Sequence, residues 1–212
     1  MTRGWFITGT GTGVGKTLVA SQLARLLRAS GRRVAALKPI ETGCNPHPND
    51  ALALADACGF PELAHVDGLY RAKLPVSPYA ATLAGEPPPP TVPNLAATCS
   101  AIACDADVVL IEGAGALLVP IDATQTVADL AVELRLPLLI VARDELGVLA
   151  TTLATFEAAR SRNLVVSAVI LNRFASVSDP SLRFNAAILQ ERLPVPIVHG
   201  DSLSTIAAQL SA

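Results

Sequence analysis

A glycine-rich stretch near the beginning of the chain carries the clearest chemical signal. It reads Gly9-Thr10-Gly11-Thr12-Gly13-Val14-Gly15-Lys16-Thr17 and lies between an apolar run and a stretch with helical spacing. Glycines at such a point let successive backbone N–H groups turn inward and surround phosphate oxygens. Lys16 can reach the outer phosphates of a nucleoside triphosphate, and the Thr17 hydroxyl can bind Mg²⁺. The stretch therefore predicts a site for a nucleotide with Mg²⁺.

The spacing of this loop is a variant of the common phosphate-binding pattern. In G-x-x-x-x-G-K-[ST] the first glycine would stand at Thr10, but it stands at Gly9 and leaves five intervening residues. The dinucleotide pattern G-x-G-x-x-G also fails, because the glycines recur at every second residue. The alternative reading is a flexible glycine turn with a chance Gly-Lys-Thr, which the flanking strand and helix patterns disfavour.

Two further clusters each follow an apolar run. Lys38, in Lys38-Pro39-Ile40-Glu41-Thr42-Gly43, ends the second such run, and its amine can point toward the phosphates. Glu112, in Glu112-Gly113-Ala114-Gly115, ends another run, where a magnesium-binding acid belongs, and Asp50 can supply a second carboxylate. From the local sequence alone, Lys38 is equally a solvated lysine at a strand end, and Asp50 equally an acid in the first turn of a helix.

A fourth cluster reads Val169-Ile170-Leu171-Asn172-Arg173-Phe174-Ala175. A polar side chain just past a strand, such as Asn172, can hydrogen-bond a nucleotide base. The guanine-reading pattern N-K-x-D would place an acid at residue 175, where this chain has Ala175. Guanine specificity is therefore disfavoured.

Composition restricts the remaining classes of function. The chain has 212 residues, of which 51% are hydrophobic and only 16% charged, with a net charge of −2. This suits one α/β domain over residues 1–212 with a large buried sheet. Because no dense basic run occurs, we expect neither nucleic acid nor an anionic membrane as a partner.

The sequence gives no indication of a signal segment, a membrane span or a cysteine motif. The beginning of the chain shows no signal-segment pattern, and no apolar run approaches the roughly 20 residues that span a bilayer, so the expected location is cytoplasmic. No cysteines form a C-x-x-C pair, and the histidines are scattered. We expect structural roles for these residues, with the cysteines reduced and mostly buried: Cys44, Cys58, Cys99, Cys104, His47, His65 and His199.

Apolar runs alternate with helix-like stretches along the whole chain. The patterns predict strands at residues 4–8, 33–38, 107–112, 137–142, 165–171 and 196–198. They predict helices at residues 16–29, 50–58, 95–104, 127–135, 146–161, 180–192 and 204–210. Residues 59–94 are expected to be irregular, with the proline run 87–90 as a stiff surface connection.

These elements have to position the candidate residues. Strands without polar alternation, separated by helices, indicate a parallel sheet covered on both faces. The fold class is therefore a single doubly wound, mostly parallel α/β sheet of the P-loop NTPase type. In such a sheet, ligands bind at the carboxyl ends of the strands.

The clusters together resemble dethiobiotin synthetase over essentially the whole chain. The shared motifs are G-T-x-T-x-V-G-K-T at residues 9–17, K-P-x-x-[ST]-G at 38–43, D-A-L at 50–52, P-x-S-P-[HY] at 75–79, E-G-A-G at 112–115 and L-G at 146–147. The combination is specific, although each short motif alone is not.

The resemblance implies a reaction in which ATP and CO₂ convert 7,8-diaminononanoate into the cyclic urea dethiobiotin. It implies Mg²⁺ bound by Thr17, Asp50 and Glu112, catalytic roles for Lys38, Lys16 and Thr12, and diamine contacts from Thr12, Lys38 and Thr42. It also implies a homodimer that completes the diamine site. The nucleotide positions that it implies are Gly13, Val14, Gly15, Lys16, Thr17, Leu18, Asp50, Glu112, Gly113, Ala114, Gly115, Asn172 and Arg173.

The chain departs from the family pattern at three places. Gly13 stands where some members have Glu, so a charged contact is missing there. Ala150 and Thr151 stand where many members have Asn-His, which helps to place the diamine at the dimer interface. The late I-P-W-like adenine contact appears here as Asp201-Ser202-Leu203.

Two other classes of protein compete with this interpretation. Partitioning ATPases usually carry an extra lysine early in the loop, whereas residues 10–13 of this chain include no lysine. Metallochaperone GTPases usually show a His- or Cys-rich metal site and a guanine motif, and neither is evident in this sequence. The synthetase half of a cobyrinate-type amidotransferase needs a glutaminase domain with a cysteine nucleophile, for which 212 residues leave no room.

Overall fold

The computed structural model of the protein describes residues 3–173 and 179–211, so Ala175 of the fourth cluster lies outside the described residues. The strands in these ranges are Arg3–Gly9 (β1), Val34–Leu37 (β2), Ile40–Thr42 (β3), Tyr70–Ala72 (β4), Val108–Ala116 (β5), Leu138–Arg143 (β6), Val166–Asn172 (β7) and Ile197–His199 (β8). The helices are Lys16–Ala29 (α1), Asn49–Cys58 (α2), Pro78–Leu83 (α3), Val92–Ala103 (α4), Val127–Leu134 (α5), Val148–Arg160 (α6), Asn185–Arg192 (α7) and Ser204–Ser211 (α8).

A six-stranded sheet forms the centre of the molecule. Its strand order is β2-β5-β1-β6-β7-β8, and each neighbouring pair runs parallel. Because side chains alternate along a strand, Trp5 and Ile7 of β1 pack with α1 while Phe6 packs on the opposite face with α5. Helices therefore cover both faces, which confirms the predicted α/β fold class.

The order of the strands explains where ligands can bind. The chain leaves β1 at the centre of the sheet and enters α1, while β5 and β2 lie on one side of β1 and β6 and β7 on the other. Parallel strands bring their carboxyl ends to one edge. The glycine-rich loop and the residues that follow β2, β5 and β7 therefore meet at this edge, although the sequence separates them widely.

The prediction that residues 59–94 are irregular was wrong in part, although it holds for the proline run 87–90. The segment contains a 3₁₀ helix at Pro61–His65, strand β4, helix α3 and the first turn of α4. Elements of three to six residues are too short to show a hydrophobic period in the sequence. The first turn of α4 includes Pro93, which a helix tolerates there, and the Thr91 hydroxyl accepts a hydrogen bond from the backbone N–H of Asn94.

Other boundaries also differ from the predictions. Strand β3 was missed, because Pro39 interrupts the extended chain only briefly before Ile40–Thr42 pairs with β4. Strand β5 continues through Ala116, so the small residues after Glu112 belong to the strand. The helix predicted at 180–192 is a 3₁₀ helix at Pro180–Arg183 followed by α7, since Phe184 has φ −119° and interrupts the helical path.

The cysteines are free thiols, but only two of them are buried. Cys58 and Cys99 are buried, Cys44 is half-buried and Cys104 is exposed, so the expectation of mostly buried cysteines was wrong at Cys104. Burial raises the pKa of the Cys99 thiol to about 12. In residues 3–173 and 179–211, no helix combines the length and the hydropathy that crossing a membrane requires.

Candidate active site

A cleft of about 580 Å³ opens at the carboxyl ends of β1, β2 and β5. The glycine-rich loop forms one wall, and the segment after β2 forms the floor together with Glu112. The chain between β4 and α3 forms the opposite wall. The predicted site residues that line the cleft are Thr12, Gly13, Gly15, Lys16, Thr17, Lys38, Thr42, Asp50, Glu112, Ala114 and Gly115.

The backbone of the loop explains its unusual spacing. Gly15 has φ +90°, a conformation that favours glycine, and it precedes the first residue of α1. A Cβ on Gly9 would lie 2.8 Å from the Val14 side chain and 3.0 Å from the Gly11 carbonyl oxygen. The glycine is therefore needed at residue 9 of this loop, one position earlier than in the common pattern.

Lys16 lies inside the loop with little exposure to solvent. Its Nζ donates a hydrogen bond to the Gly11 carbonyl oxygen at 3.1 Å. Burial and the nearby charge of Lys38 lower the pKa of Lys16 to about 8. An anion beside Lys16 would offset both effects, so the loop favours a phosphate at this position.

Lys38 is the centre of a buried charge cluster. Its side chain is 5% exposed, and its Nζ contacts the carboxylates of Glu112 and Asp50, with 2.8 Å to Asp50 Oδ2. Burial alone lowers the pKa of Lys38, but the two carboxylates outweigh burial and raise it above its ordinary value. Lys38 therefore stays an ammonium ion that points into the cleft, and the reading as a solvated strand-end lysine was wrong.

The two carboxylates differ in their electrostatics. Glu112 is 1% exposed, and burial raises its pKa in spite of Lys38. The side chain of Asp50 is 41% exposed; burial raises its pKa, but the stronger combined attraction of Lys38 and hydrogen bonds to Lys38 and Thr17 lowers it. Asp50 is therefore a carboxylate that is ionised and reachable from the cleft.

The donor set fits Mg²⁺. The Thr17 hydroxyl donates to Glu112 Oε1 at 3.0 Å, and Glu112 Oε2 is buried with no hydrogen-bond partner among the described residues. An unpaired buried carboxylate oxygen is costly unless a cation or donor accompanies it. Within the same residues, no three His, Cys, Asp or Glu side chains form a metal cluster. Two carboxylates and a hydroxyl leave the other positions of an octahedral shell to phosphate and water.

Several predicted nucleotide residues lie outside the lining of the cleft. Val14 is buried in the core with α1, whereas the side chain of Leu18 is 46% exposed on α1. Gly113 lies within β5, where a Cβ would come within 3.0 Å of Phe6 and Val127. Val14 and Gly113 thus shape the site through the backbone, and they remain predictions as nucleotide contacts.

Asn172 connects the end of β7 to the glycine-rich loop. Its side chain is buried, and its Nδ2 donates to the Val14 carbonyl oxygen at 3.1 Å. Gly200 lies so close that a Cβ there would be 3.0 Å from Asn172 Oδ1. Asn172 is therefore within reach of the loop, and the predicted contact with a base remains a prediction.

Arg173 takes part in a network that the sequence did not reveal. Its Nε donates to Asp144 Oδ2 at 2.8 Å, and its terminal nitrogen donates to the Leu182 carbonyl oxygen. The Asp144 side chain is fully buried and also accepts a bond from Asn185 at 2.8 Å. This network ties the ends of β6 and β7 to α7.

The sequence patterns also failed to single out two side chains that support the charge cluster. Glu41 is buried in β3 and accepts hydrogen bonds from two backbone N–H groups of α2. Arg71 of β4 donates to the Lys38 carbonyl oxygen at 2.8 Å. Neither residue carries a local motif signal, since both act across the small β3–β4 ladder that the sequence did not predict.

The positions that depart from the family pattern have simple structural surroundings. Ala150 and Thr151 are exposed on α6, and the Thr151 hydroxyl bonds to carbonyl oxygens of its own helix. Leu203 is buried against the core, while Asp201 and Ser202 are exposed. The structure therefore places Leu203 as a packing residue.

The sequence profile of the AAA domain family matches residues 3–201. The ATP-dependent dethiobiotin synthetase BioD of Anaeromyxobacter dehalogenans strain 2CP-C is 41% identical, over 87% of this chain and 83% of that protein. Its counterpart in Anaeromyxobacter sp. strain Fw109-5 is 42% identical over the same shares. The chain belongs to the ATP-dependent dethiobiotin synthetase family. It is therefore an enzyme, a ligase by class.

Solved structures agree on the fold of this family member. The structure of pNOB8 ParA bound to nonspecific DNA superposes with a TM-score of 0.58 at 18% identity, covering 91% of this chain and 75% of that one. At this identity the likeness shows a shared fold and nothing about ligands. This chain therefore shares its fold with ParA.

Proposed function

We propose that this chain catalyses the ATP-dependent conversion of 7,8-diaminononanoate and CO₂ into the cyclic urea dethiobiotin. The observation that carries the proposal is the Lys38 ammonium, buried beside a phosphate-binding loop and aimed into the same cleft. A nucleotide switch of the partitioning type usually carries its second lysine within the loop, so it has no need for one buried at the end of β2. A phosphoryl transfer to a small anion does need one, because negative charge accumulates where the two anions meet.

The first steps build an acid anhydride. One amine of the diamine attacks CO₂ and loses a proton, which gives a carbamate. A carbamate oxygen then attacks the γ-phosphorus, the bond to ADP breaks, and a carbamic–phosphoric anhydride forms. Lys16 holds the outer phosphates and Lys38 neutralises the carbamate and the transferred group, so the two reacting anions can lie in line.

The last step closes the ring. The second amine attacks the carbonyl carbon of the anhydride, a proton leaves that amine, and phosphate departs as the C–N bond forms. Thr12 and Thr42 line the cleft at the diamine side, where Ile40, Pro75 and Val119 supply apolar wall for the carbon chain. ADP, phosphate and the cyclic urea are the products.

We propose that Mg²⁺ is held by Asp50, Glu112 and Thr17. The ion would supply charge neutralisation at the β- and γ-phosphates. This assignment rests on Glu112 Oε2, which is buried without a hydrogen-bond partner among the described residues, and on the exposure of Asp50 toward the cleft. Asn172 is proposed to offer its Oδ1 to the base while its Nδ2 remains on the loop, with Arg173 as a neighbouring nucleotide residue.

The decisive experiment measures phosphate release with ATP, Mg²⁺, bicarbonate and diaminononanoate, with mass detection of the urea product. We expect release that depends on the diamine and one urea formed for each phosphate. Hydrolysis at the same rate without the diamine would instead support a nucleotide switch. Repeating the assay with other nucleoside triphosphates measures base preference.

The family resemblance also leads us to propose a homodimer that acts in the cytoplasm. Sedimentation equilibrium of the purified protein measures the first property. A monomer at the concentration of the activity assay, with full activity, would contradict a diamine site completed across an interface.

A further inference from the structure

Glu41 is a buried acid for which the proposed reaction has no use. It lies in β3 at the back of the cleft and is 6% exposed. Its Oε1 accepts the backbone N–H of Asp50 at 2.8 Å, and its Oε2 accepts the N–H of Ala51 at 2.9 Å. Both carboxylate oxygens are therefore occupied by the first turn of α2.

Helix α2 lacks a cap of its own. Its N-cap residue is Pro48, which makes no side-chain hydrogen bond to the helix. The first N–H groups of any helix need external acceptors, and an acid is the strongest of these because it also opposes the helix dipole. Glu41 supplies this cap from a different element, so α2 begins where β3 places it.

The same turn carries the metal-binding acid of the proposed mechanism. Asp50 is the second residue of α2, and its Oδ2 lies 2.8 Å from Lys38 Nζ. Its own backbone N–H is one of the two that Glu41 binds. The side chain of Asp50 is 41% exposed, so packing alone holds it weakly.

A second contact strengthens this arrangement from the other strand of the small ladder. Arg71 lies opposite Glu41 in the β3–β4 register, and the two charges attract each other. Arg71 donates to the Lys38 carbonyl oxygen at 2.8 Å. The ladder thus presents a carboxylate to the backbone of Asp50 and a guanidinium to the backbone of Lys38.

We propose that Glu41 is a positioning residue that holds the Asp50 carboxylate where it binds Mg²⁺, an inference that rests on the metal role proposed for Asp50. The K-P-x-x-[ST]-G motif does not specify residue 41, so the motif by itself does not provide this support. A glutamine cannot replace the acid, because it has one acceptor oxygen and would turn an NH₂ group toward a backbone N–H.

The test compares Glu41→Gln with the unaltered protein by calorimetry with a non-hydrolysable ATP analogue, with and without Mg²⁺. The ratio of the two affinities measures the metal contribution and needs no turnover. We expect this ratio to fall about tenfold or more in Glu41→Gln, as for other residues that orient metal ligands, with the Mg²⁺-free affinity changed less than about twofold. Glu41→Asp, which keeps the charge but is too short to reach both N–H groups, should also lower the ratio.

Amide hydrogen exchange gives a second measure in the ligand-free protein. The N–H groups of Asp50 and Ala51 should exchange faster in both Glu41 variants. The matched control is Asp107→Asn, which alters a carboxylate that accepts the Arg33 backbone N–H at 2.8 Å at the opposite end of the sheet. It should leave the Mg²⁺ ratio and these two amides unchanged.

The Asp50→Asn variant tests the metal role of Asp50 separately from the positioning role of Glu41. If Asp50→Asn lowers the Mg²⁺ ratio but the Glu41 variants only lower the melting temperature, Glu41 has a general structural role and the inference is overturned. If Asp50→Asn leaves the ratio unchanged, the metal assignment of Asp50 is overturned and the inference fails with it. A reduced ratio in the Asp50 and both Glu41 variants, with Asp107→Asn normal, supports it.

Discussion

Two groups of polar residues lie at the carboxyl ends of the same parallel sheet, and they are built on opposite principles. The first group, called the phosphate end after its proposed ligand, consists of Lys16, Lys38, Asp50 and Glu112 and keeps charges that the protein satisfies only in part. The second, called the base end after the base contact proposed for Asn172, consists of Asp144, Asn172, Arg173 and Asn185, and its polar groups bond to protein partners.

The difference can be seen in single atoms. At the phosphate end, Glu112 Oε2 is buried without a partner, and Lys16 is held at a lowered pKa. At the base end, the buried Asp144 carboxylate binds Arg173 and Asn185 with both of its oxygens. Where charged groups lack protein partners, a bound ligand can supply the missing contacts and so stabilise the site. Where the charged groups are fully paired within the protein, they serve mainly to support the fold.

The largest expected effect is that of Lys38→Ala at the phosphate end. Turnover should fall about 10²–10³-fold or more, as when one donor to a developing negative charge is removed, while nucleotide affinity changes only a few-fold. Steady-state phosphate release and calorimetry measure the two quantities. Lys73→Ala, at an exposed lysine, is the control and should behave as the unaltered protein. Nucleotide affinity that falls as far as turnover would make Lys38 a phosphate-binding residue instead.

Asp144→Ala tests the base end and should affect stability more than catalysis. The change removes the shortest hydrogen bond of the buried Asn185 amide and leaves it the longer ones to Ser181 Oγ at 3.2 Å and to the Glu145 carbonyl oxygen at 3.5 Å. The free energy of unfolding should therefore fall by about 1–3 kcal/mol. Urea denaturation measures this loss. Turnover of the folded protein at low temperature should stay within a few-fold. A large loss of turnover at unchanged stability would contradict a mainly structural role for Asp144.

The lowered pKa of Lys16 predicts a proton uptake when nucleotide binds. In the ligand-free protein Lys16 is half-protonated near pH 8, and bound phosphates favour the charged form. Binding at pH 8 should therefore take up about half a proton, and affinity should decrease above pH 8 by up to about tenfold per pH unit.

Calorimetry in two buffers of different ionisation enthalpy measures this uptake. Lys16→Met removes the titrating group, so its residual binding should show no such uptake. An affinity that stays constant from pH 7 to pH 10 in the unaltered protein would mean that Lys16 is fully charged before the nucleotide arrives.

The smallest expected effect is that of Arg173→Ala. The side chain is about half exposed, and exposed ion pairs contribute about 0–1 kcal/mol, so stability should change by less than about 1 kcal/mol. Because the guanidinium is held by Asp144, nucleotide affinity should fall no more than about twofold to threefold. A tenfold loss of ATP affinity would show that Arg173 contacts the nucleotide directly, so that the base end would bind ligand as well as support the fold.

Local sequence patterns were sufficient to predict most of the framework of strands and helices. The apolar runs predicted the six strands of the central sheet, and the position of the glycine-rich loop between β1 and α1 followed from a strand pattern next to a helix pattern. The chemical type of Lys38, Asp50 and Glu112 was readable because Lys38 and Glu112 end apolar runs and Asp50 stands in the first turn of a helix pattern. Such signals lie within a few residues and need no knowledge of distant contacts.

Which of these residues meet, and which side chains support them, depends on contacts between distant parts of the chain. Glu41 caps a helix that begins eight residues later, Asn172 binds a loop 158 residues earlier in the chain, and Arg71 supports the backbone of Lys38. Whether Lys38 is solvated or buried between two carboxylates depended on the order of β2 and β5 in the sheet. Parallel pairing joins residues that are distant in sequence, so their charges and hydrogen bonds appear only when the strands are assembled.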